Sequence, residues 1–147
     1  MQLNLPSFDF KVEHREGKPY IFDVVRKKYV KLDPEEWVRQ HFIHYLLQKG
    51  YPRSLMKIEG GHQFNRLQKR SDILVYNRQG QPFLLVECKA PAVKISNKTF
   101  WQAGIYNQTC HAPYLVVTNG LSHYFCKVDF VQKTCSFLPD LPAFGAL

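Results

Sequence analysis

The chain has no apolar run approaching 18 residues, so no transmembrane helix is expected. Met1-Gln2-Leu3-Asn4-Leu5-Pro6 carries neither a basic stretch nor an apolar core. No secretory signal is expected, which points to a cytoplasmic protein. Cysteine is sparse. Cys88, Cys110, Cys126 and Cys135 form no C-x-x-C pair and no Cys/His spacing suited to zinc. In a cytoplasmic protein their thiols are expected to be reduced. His41 and His44 lie three apart on a predicted helix with no third ligand nearby, so they read as a partly buried structural pair. The sequence lacks the G-x-x-x-x-G-K-[ST] loop that cradles nucleotide phosphates, so no ATP site is expected. It also lacks the G-x-S-x-G turn of serine hydrolases. Acids are few, with 12 Asp and Glu against 20 Lys and Arg, for a net charge of +8. That balance favours a polyanionic partner.

What is present fits a folded domain. The 147 residues are 45% hydrophobic and 14% aromatic, too rich in aromatics for a disordered chain. A chain of this size buries about two-thirds of its unfolded surface and folds without staples. We therefore expect a single domain over residues 1–147, with no repeats or long linkers. The basic residues cluster: Lys49, Arg53, Lys57, Arg66, Lys69 and Arg70 stand against one acid, Glu59. That stretch is either a solvated face or a phosphate-tracking surface.

The pattern along the chain predicts strands at Phe8–His14, Tyr20–Val25 and Tyr29–Leu32, with a turn at Glu16-Gly17-Lys18. A helix then opens at Asp33, a suitable N-cap, with Pro34 at its first position and Glu36 three residues after the cap. Val38, Phe42, Tyr45 and Leu46 give it an apolar stripe, and Gly50 and Pro52 end it. A strand is expected at Leu55–Glu59, then a loop or ragged edge over Gly60–Arg70. A hairpin follows, Ser71–Tyr76 and Pro82–Lys89 about an Asn77-Arg78-Gln79-Gly80 turn. A second helix over Thr99–Gln108, capped by Ser96 or Asn97, leads to a strand at Tyr114–Thr118 and a last hairpin over Ser122–Phe137. The order predicts a mixed α/β domain, a sheet flanked by two helices.

The hairpin carries the chemistry. Leu84, Val86 and Cys88 alternate with Leu85, Glu87 and Lys89, so the strand is apolar on both faces until two charges emerge on one of them. A hairpin centred between Gln79 and Gly80 sets Asp72 opposite Glu87, with Cβ atoms about 4.5–5.5 Å apart. Opposed carboxylates repel, and a divalent ion between them turns that repulsion into ligation. Hard oxygen donors favour Mg²⁺ or Mn²⁺. Lys89 points to the same side, suited to stabilising an anion or activating a water.

The arrangement Asp72 … Glu87-Cys88-Lys89 resembles the PD-(D/E)xK nuclease superfamily. Gln102-Ala103-Gly104-Ile105-Tyr106 resembles the Q-x-x-x-Y motif of its RecB-like branch, with Gln102 and Tyr106 sharing a helix face at i and i+4. Pro34-Glu35-Glu36-Trp37-Val38-Arg39-Gln40, Ser71-Asp72-Ile73, Glu87-Cys88-Lys89-Ala90-Pro91 and Thr118-Asn119-Gly120 together look like the N-terminal nuclease domain of type I restriction enzyme R subunits, over about residues 30–127. The resemblance implies a restriction-endonuclease-like mixed sheet flanked by helices, with extra N- and C-terminal strands. It implies that Asp72, Glu87 and the Cys88 carbonyl hold the metal, that Lys89 is the catalytic lysine, and that Gln102 and Tyr106 position the lysine or the DNA. The family's helix acid matches Glu36, which equally fits a capping box with Asp33. R subunits couple their nuclease to an ATP-driven motor, which this sequence does not contain. It is expected to be a stand-alone relative or one part of a separated system, with DNA and other restriction-system subunits as partners. Lys57, Arg66, Lys69 and Arg70 are the expected nucleic-acid contacts. The competing expectation is a non-catalytic nucleic-acid-binding or assembly module on the same fold.

Overall fold

Two antiparallel hairpins open the chain, a helix follows, and a larger sheet takes up the rest. The structure, a computed structural model, describes residues 2–58 and 72–145, with only the main chain at residue 72. Strands β1 (Val12–Arg15), β2 (Lys18–Asp23) and β3 (Lys28–Lys31) form a three-stranded antiparallel sheet. Glu16 and Gly17 both take positive φ at the β1–β2 turn, the backbone that two-residue hairpin loops require. The first strand starts at Val12, not at Phe8. The rings of Phe8 and Phe10 instead pack on the helix that follows, Phe8 stacked 4.1 Å from His44 and Phe10 edge-on to Trp37 at 5.1 Å.

Helix α1 (Pro34–Gln48) begins and ends as the sequence dictates. Asp33 Oδ1 accepts the Glu36 N–H at 2.7 Å. At the other end Gly50 adopts φ 89°, its N–H donates to Leu47 O, and the Tyr51 N–H reaches back to Leu46 O. This closure satisfies the last carbonyls and needs a residue without Cβ strain at position 50. Val38, Phe42, Ile43 and Leu46 are fully buried.

The second sheet has six strands in the order β4 (Met56–Ile58), β5 (Asp72–Tyr76), β6 (Pro82–Cys88), β7 (Tyr114–Thr118), β8 (His123–Asp129) and β9 (Thr134–Leu138). All neighbours are antiparallel except β6 and β7, which run parallel and are joined by helix α2 (Asn97–Cys110). A parallel pair needs such a crossover. The expected strand at 55–59 begins one residue later, at Met56, because Arg53–Leu55 form a 3-10 turn; residue 59 and the loop expected at 60–70 lie outside the described residues. α2 starts two residues earlier than expected, from a Ser96–Thr99 capping box. It ends at His111 (φ 65°), where the Asn107 side chain brackets the Ala112 main chain and fastens the helix to β7.

The sheet is buried on both sides. Ile73, Val75, Leu84, Val86 and Val116 join α1 in one cluster; Leu74, Leu85, Leu115 and Val117 join Ala103 of α2 in another. Each such side chain contributes roughly 1.5–3 kcal/mol on burial. This explains why the central strands read as unbroken apolar runs. The chain's start is strapped over the β7–β8 turn. Asn4 N–H donates to Gly120 O, its side-chain amide to Leu121 O, and His123 Nε2–H to Asn4 O. Leu3 lies so close that a Cβ on Gly120 would come within 3.0 Å of its methyl carbons. Among the described residues no helix is long and apolar enough to cross a membrane.

Candidate active site

The β5–β6 hairpin is set by its turn. Asn77 Oδ1 accepts from the Gln79 and Gln81 N–H groups, Gly80 takes φ 81°, and the Asn77 N–H closes on Gln81 O at 2.7 Å. A one-residue irregularity is confined to Tyr76, beside the turn. From Val75↔Leu84 onward the register is regular and ends in Asp72↔Glu87, the pairing expected from the sequence. Glu87 sits on the α2 side of the sheet beyond Leu85 and is only 2% exposed. Lys89 Nζ lies 3.5 Å from Glu87 Oε2. The Lys89 N–H donates to Thr118 O at 2.8 Å, carrying the β6–β7 ladder one residue past Cys88↔Thr118. Lys89 therefore leaves the sheet from a fixed backbone, and its head remains half-exposed. A carboxylate buried to this degree loses several kcal/mol of hydration, so its charged neighbours control what it can do.

The β6–α2–β7 crossover lays α2 on that same face of the sheet, with Phe100 of its first turn against Phe137 of β9. Ala103 and Asn107 face the sheet. Tyr106 is half-buried and packs on the Leu85 and Val117 side, the face that carries Glu87. Gln102 is exposed. So the structure gathers Glu87, Lys89 and Tyr106 on one face, with Gln102 on the outer flank of the covering helix.

Glu36 has a different setting. Its N–H is capped by Asp33, but its carboxylate does not reach back to complete a capping box. It pairs with Arg39, one turn on, and with Arg26 at 3.2 Å, and it accepts from Gln40 Nε2 at 2.8 Å. The same amide nitrogen donates to Asp23 Oδ2, and Arg26 Nε donates to that oxygen at 2.7 Å. Burial by itself would raise the pKa of Asp23. The Arg26 main-chain and guanidinium hydrogen bonds, with its charge, outweigh that and hold the carboxyl below its ordinary range. Arg39 and Gln40 stand in the Pro34–Gln40 stretch that carries the resemblance, without an assigned role; Asp23 and Arg26 are new from the structure. Only the i, i+3 and i+4 spacing of Glu36, Arg39 and Gln40 on α1 hinted at the cluster. The first turn of α1 does border the loop past Lys89, since Asp33, Pro34 and Trp37 share a shallow groove with Pro91 and Ala92.

His41 and His44 pack against Phe8, and His41 Nδ1–H donates to Trp37 O. His123 accepts at Nδ1 from the Thr118 hydroxyl. Burial lowers the pKa of all three.

Of the expected phosphate contacts, Lys57 is exposed on edge strand β4, opposite Leu74. Arg66, Lys69 and Arg70 lie outside the described residues. Among those described, no group of three or more His, Cys, Asp or Glu side chains is placed to hold a metal ion.

The family model for the N terminus of the type I restriction enzyme R protein matches residues 34–142. This span starts at Pro34, the first residue of α1, and takes in the β8–β9 hairpin beyond residue 127, where the resemblance read from the sequence ends. No curated protein and no solved structure matches the chain.

Proposed function

Because the chain belongs to the type I restriction enzyme R protein N-terminal family, we propose that it is a metal-dependent DNA endonuclease acting in the cytoplasm. The observation that carries this reading is the end of the β5–β6 hairpin. Position 72 stands directly across from Glu87, a buried carboxylate with Lys89 3.5 Å away. A surface hairpin has no use for a buried carboxylate there, whereas phosphodiester hydrolysis does.

Mg²⁺ or Mn²⁺ is the proposed cofactor, held by Asp72, Glu87 and the Cys88 carbonyl, donors whose hard oxygens suit those ions. When bound, it would polarise the phosphoryl group and offset the charge of the leaving oxygen. The chain's own groups do the rest. Lys89 stabilises the charge that builds on the phosphoryl oxygens as water attacks and the P–O bond breaks. Glu87 and the fixed backbone of residue 89 hold that ammonium in place. Tyr106 and Gln102 orient Lys89 and the DNA backbone. Glu36, committed to two arginines, serves as a structural anchor rather than a ligand. Lys57, Arg66, Lys69 and Arg70 bind phosphates without reading sequence. Other restriction-system subunits are proposed partners.

A second reading, a non-catalytic DNA-binding or assembly module, is favoured by the exposed Gln102. Plasmid incubated with protein and Mg²⁺ or Mn²⁺ separates the two. Nicking or linearisation that disappears in Lys89→Ala supports the nuclease. DNA binding without cleavage in either ion supports the module.

A further inference from the structure

We propose that the groove between α2 and the β8–β9 hairpin is a contact surface for a second copy of this chain, each copy's Trp101 entering the other's groove. The groove, of about 640 Å³, has α2 as one wall and Leu115, Cys126, Val128 and Phe137 as its floor and far side. Trp101, Ile105 and Phe137 on its rim are 71%, 50% and 65% exposed. Trp101 and Ile105 stand one helical turn apart on the side of α2 opposite Ala103 and Asn107. The helix thus presents two large exposed apolar side chains on its outward side, beside Lys98 and Thr109, which a free surface helix does not need. Between the two residues, a side chain at Gly104 would meet nothing within 4 Å. The wall therefore has a notch beside a projecting indole.

Three features choose a second copy as the occupant. First, the projection and the hollow lie side by side on one patch. A two-fold contact requires this self-complementarity, because each residue must meet the patch it belongs to. Second, the charged lining consists of one base, Lys133, and one acid, Asp129, with His111. In a chain of net charge +8, this is a balanced spot, ill suited to a polyanion. Across a two-fold axis, Lys133 of one copy can meet Asp129 of the other. Third, exposed apolar area is concentrated on the patch: Trp101, Ile105 and Phe137 leave about 400 Å² per chain open to solvent, and a two-fold contact that also covers the groove walls approaches the roughly 1,200 Å² of a specific interface. The patch also continues into β9, the outermost strand of the sheet.

The test is self-association of the purified chain, measured by sedimentation equilibrium in EDTA without DNA. Its outcome is thus independent of whether the protein cuts. The expected result is a dimer at micromolar concentrations, with Trp101 emission shifting to the red on dilution. Trp101→Asp is expected to raise the dissociation constant by about thirtyfold or more, as for a central aromatic contact. Lys133→Glu is expected to weaken association at low salt and to do less at high salt. Both positions are exposed, and circular dichroism checks that each variant is folded. A wild-type chain that stays monomeric at these concentrations overturns the proposal. So does a dimer that Trp101→Asp leaves intact.

Discussion

The molecule buries carboxylates in two places and treats them differently. At the corner between the first sheet and α1, Glu36 and Asp23 are held by two guanidiniums and the Gln40 amide at short distances. At the end of β6, Glu87 is as deeply buried, yet its lysine lies 3.5 Å away, longer than the roughly 2.7–2.9 Å of a tight charge-assisted hydrogen bond. Arginine's planar fork suits a permanent clamp, and lysine's single charge on a flexible stem suits a group that must move with its ligand. On the nuclease reading proposed above, the first cluster is a structural clamp and the second is the one that meets a ligand.

The sharpest way to break this contrast is to remove one cation from each. Arg39→Ala is expected to cost about 3 kcal/mol of stability by urea unfolding, since it leaves Glu36 buried with less compensation. Lys89→Ala, which removes a more exposed cation 3.5 Å from its partner, is expected to cost less stability than Arg39→Ala and to cut the cleavage rate by about 10²–10³, the usual loss for one group aimed at developing charge. If Lys89→Ala costs as much stability as Arg39→Ala and leaves cleavage intact, the two clusters are alike and the contrast fails.

A divalent ion tests the second cluster directly. Millimolar Mg²⁺ or Mn²⁺ is expected to raise the melting temperature, because the ion binds only the folded chain, and Asp72→Asn is expected to abolish the rise. An unchanged wild-type melt counts against the site. Gln102 gives a smaller effect. Gln102→Ala should fold and melt normally and lose about tenfold in cleavage rate, in the range of residues that support a metal site. An unaffected rate would leave Tyr106 as the α2 residue serving the site.

Three buried or half-buried histidines should respond to pH instead. The pKa values of His41, His44 and His123 lie below 6.5 in the folded chain. The unfolded chain therefore binds more protons as the medium acidifies. The stability these residues lend is complete above pH 6.5 and is lost as pH falls through their folded values. Melting temperatures from pH 8 down to pH 5 should fall accordingly, and His123→Gln should flatten the slope.

How much of this could be read beforehand follows from the range of each interaction. The Asp72↔Glu87 pairing was legible because turn and strands are contiguous and the side-chain period is strict, so one symmetric centre fixes every pair beyond the irregularity at Tyr76. The ends of α1 were legible for the same reason, Asp33 and Gly50 acting within a few residues. Phe8–Lys11 misled: alternation suggested a strand, but the rings had partners on α1 some thirty residues away. Glu36 was half legible. Its N–H is capped as expected, yet its carboxylate answers to Arg26 across a chain reversal, which no local pattern encodes. The groove beside α2 was invisible for a related reason. Trp101 and Ile105 look like core positions until the fold shows that nothing in the described chain covers them.

The strap over the β7–β8 turn has a consequence for the order of folding. Its hydrogen bonds join residues 117 and 119 apart in sequence. Closing so long a loop costs entropy that only an already assembled sheet and helix can offset. The strap should therefore fasten late, after the rate-limiting barrier, and act as a latch on the finished molecule. Loosening it, with Asn4→Ala, should leave the refolding rate almost unchanged and appear almost wholly as faster unfolding.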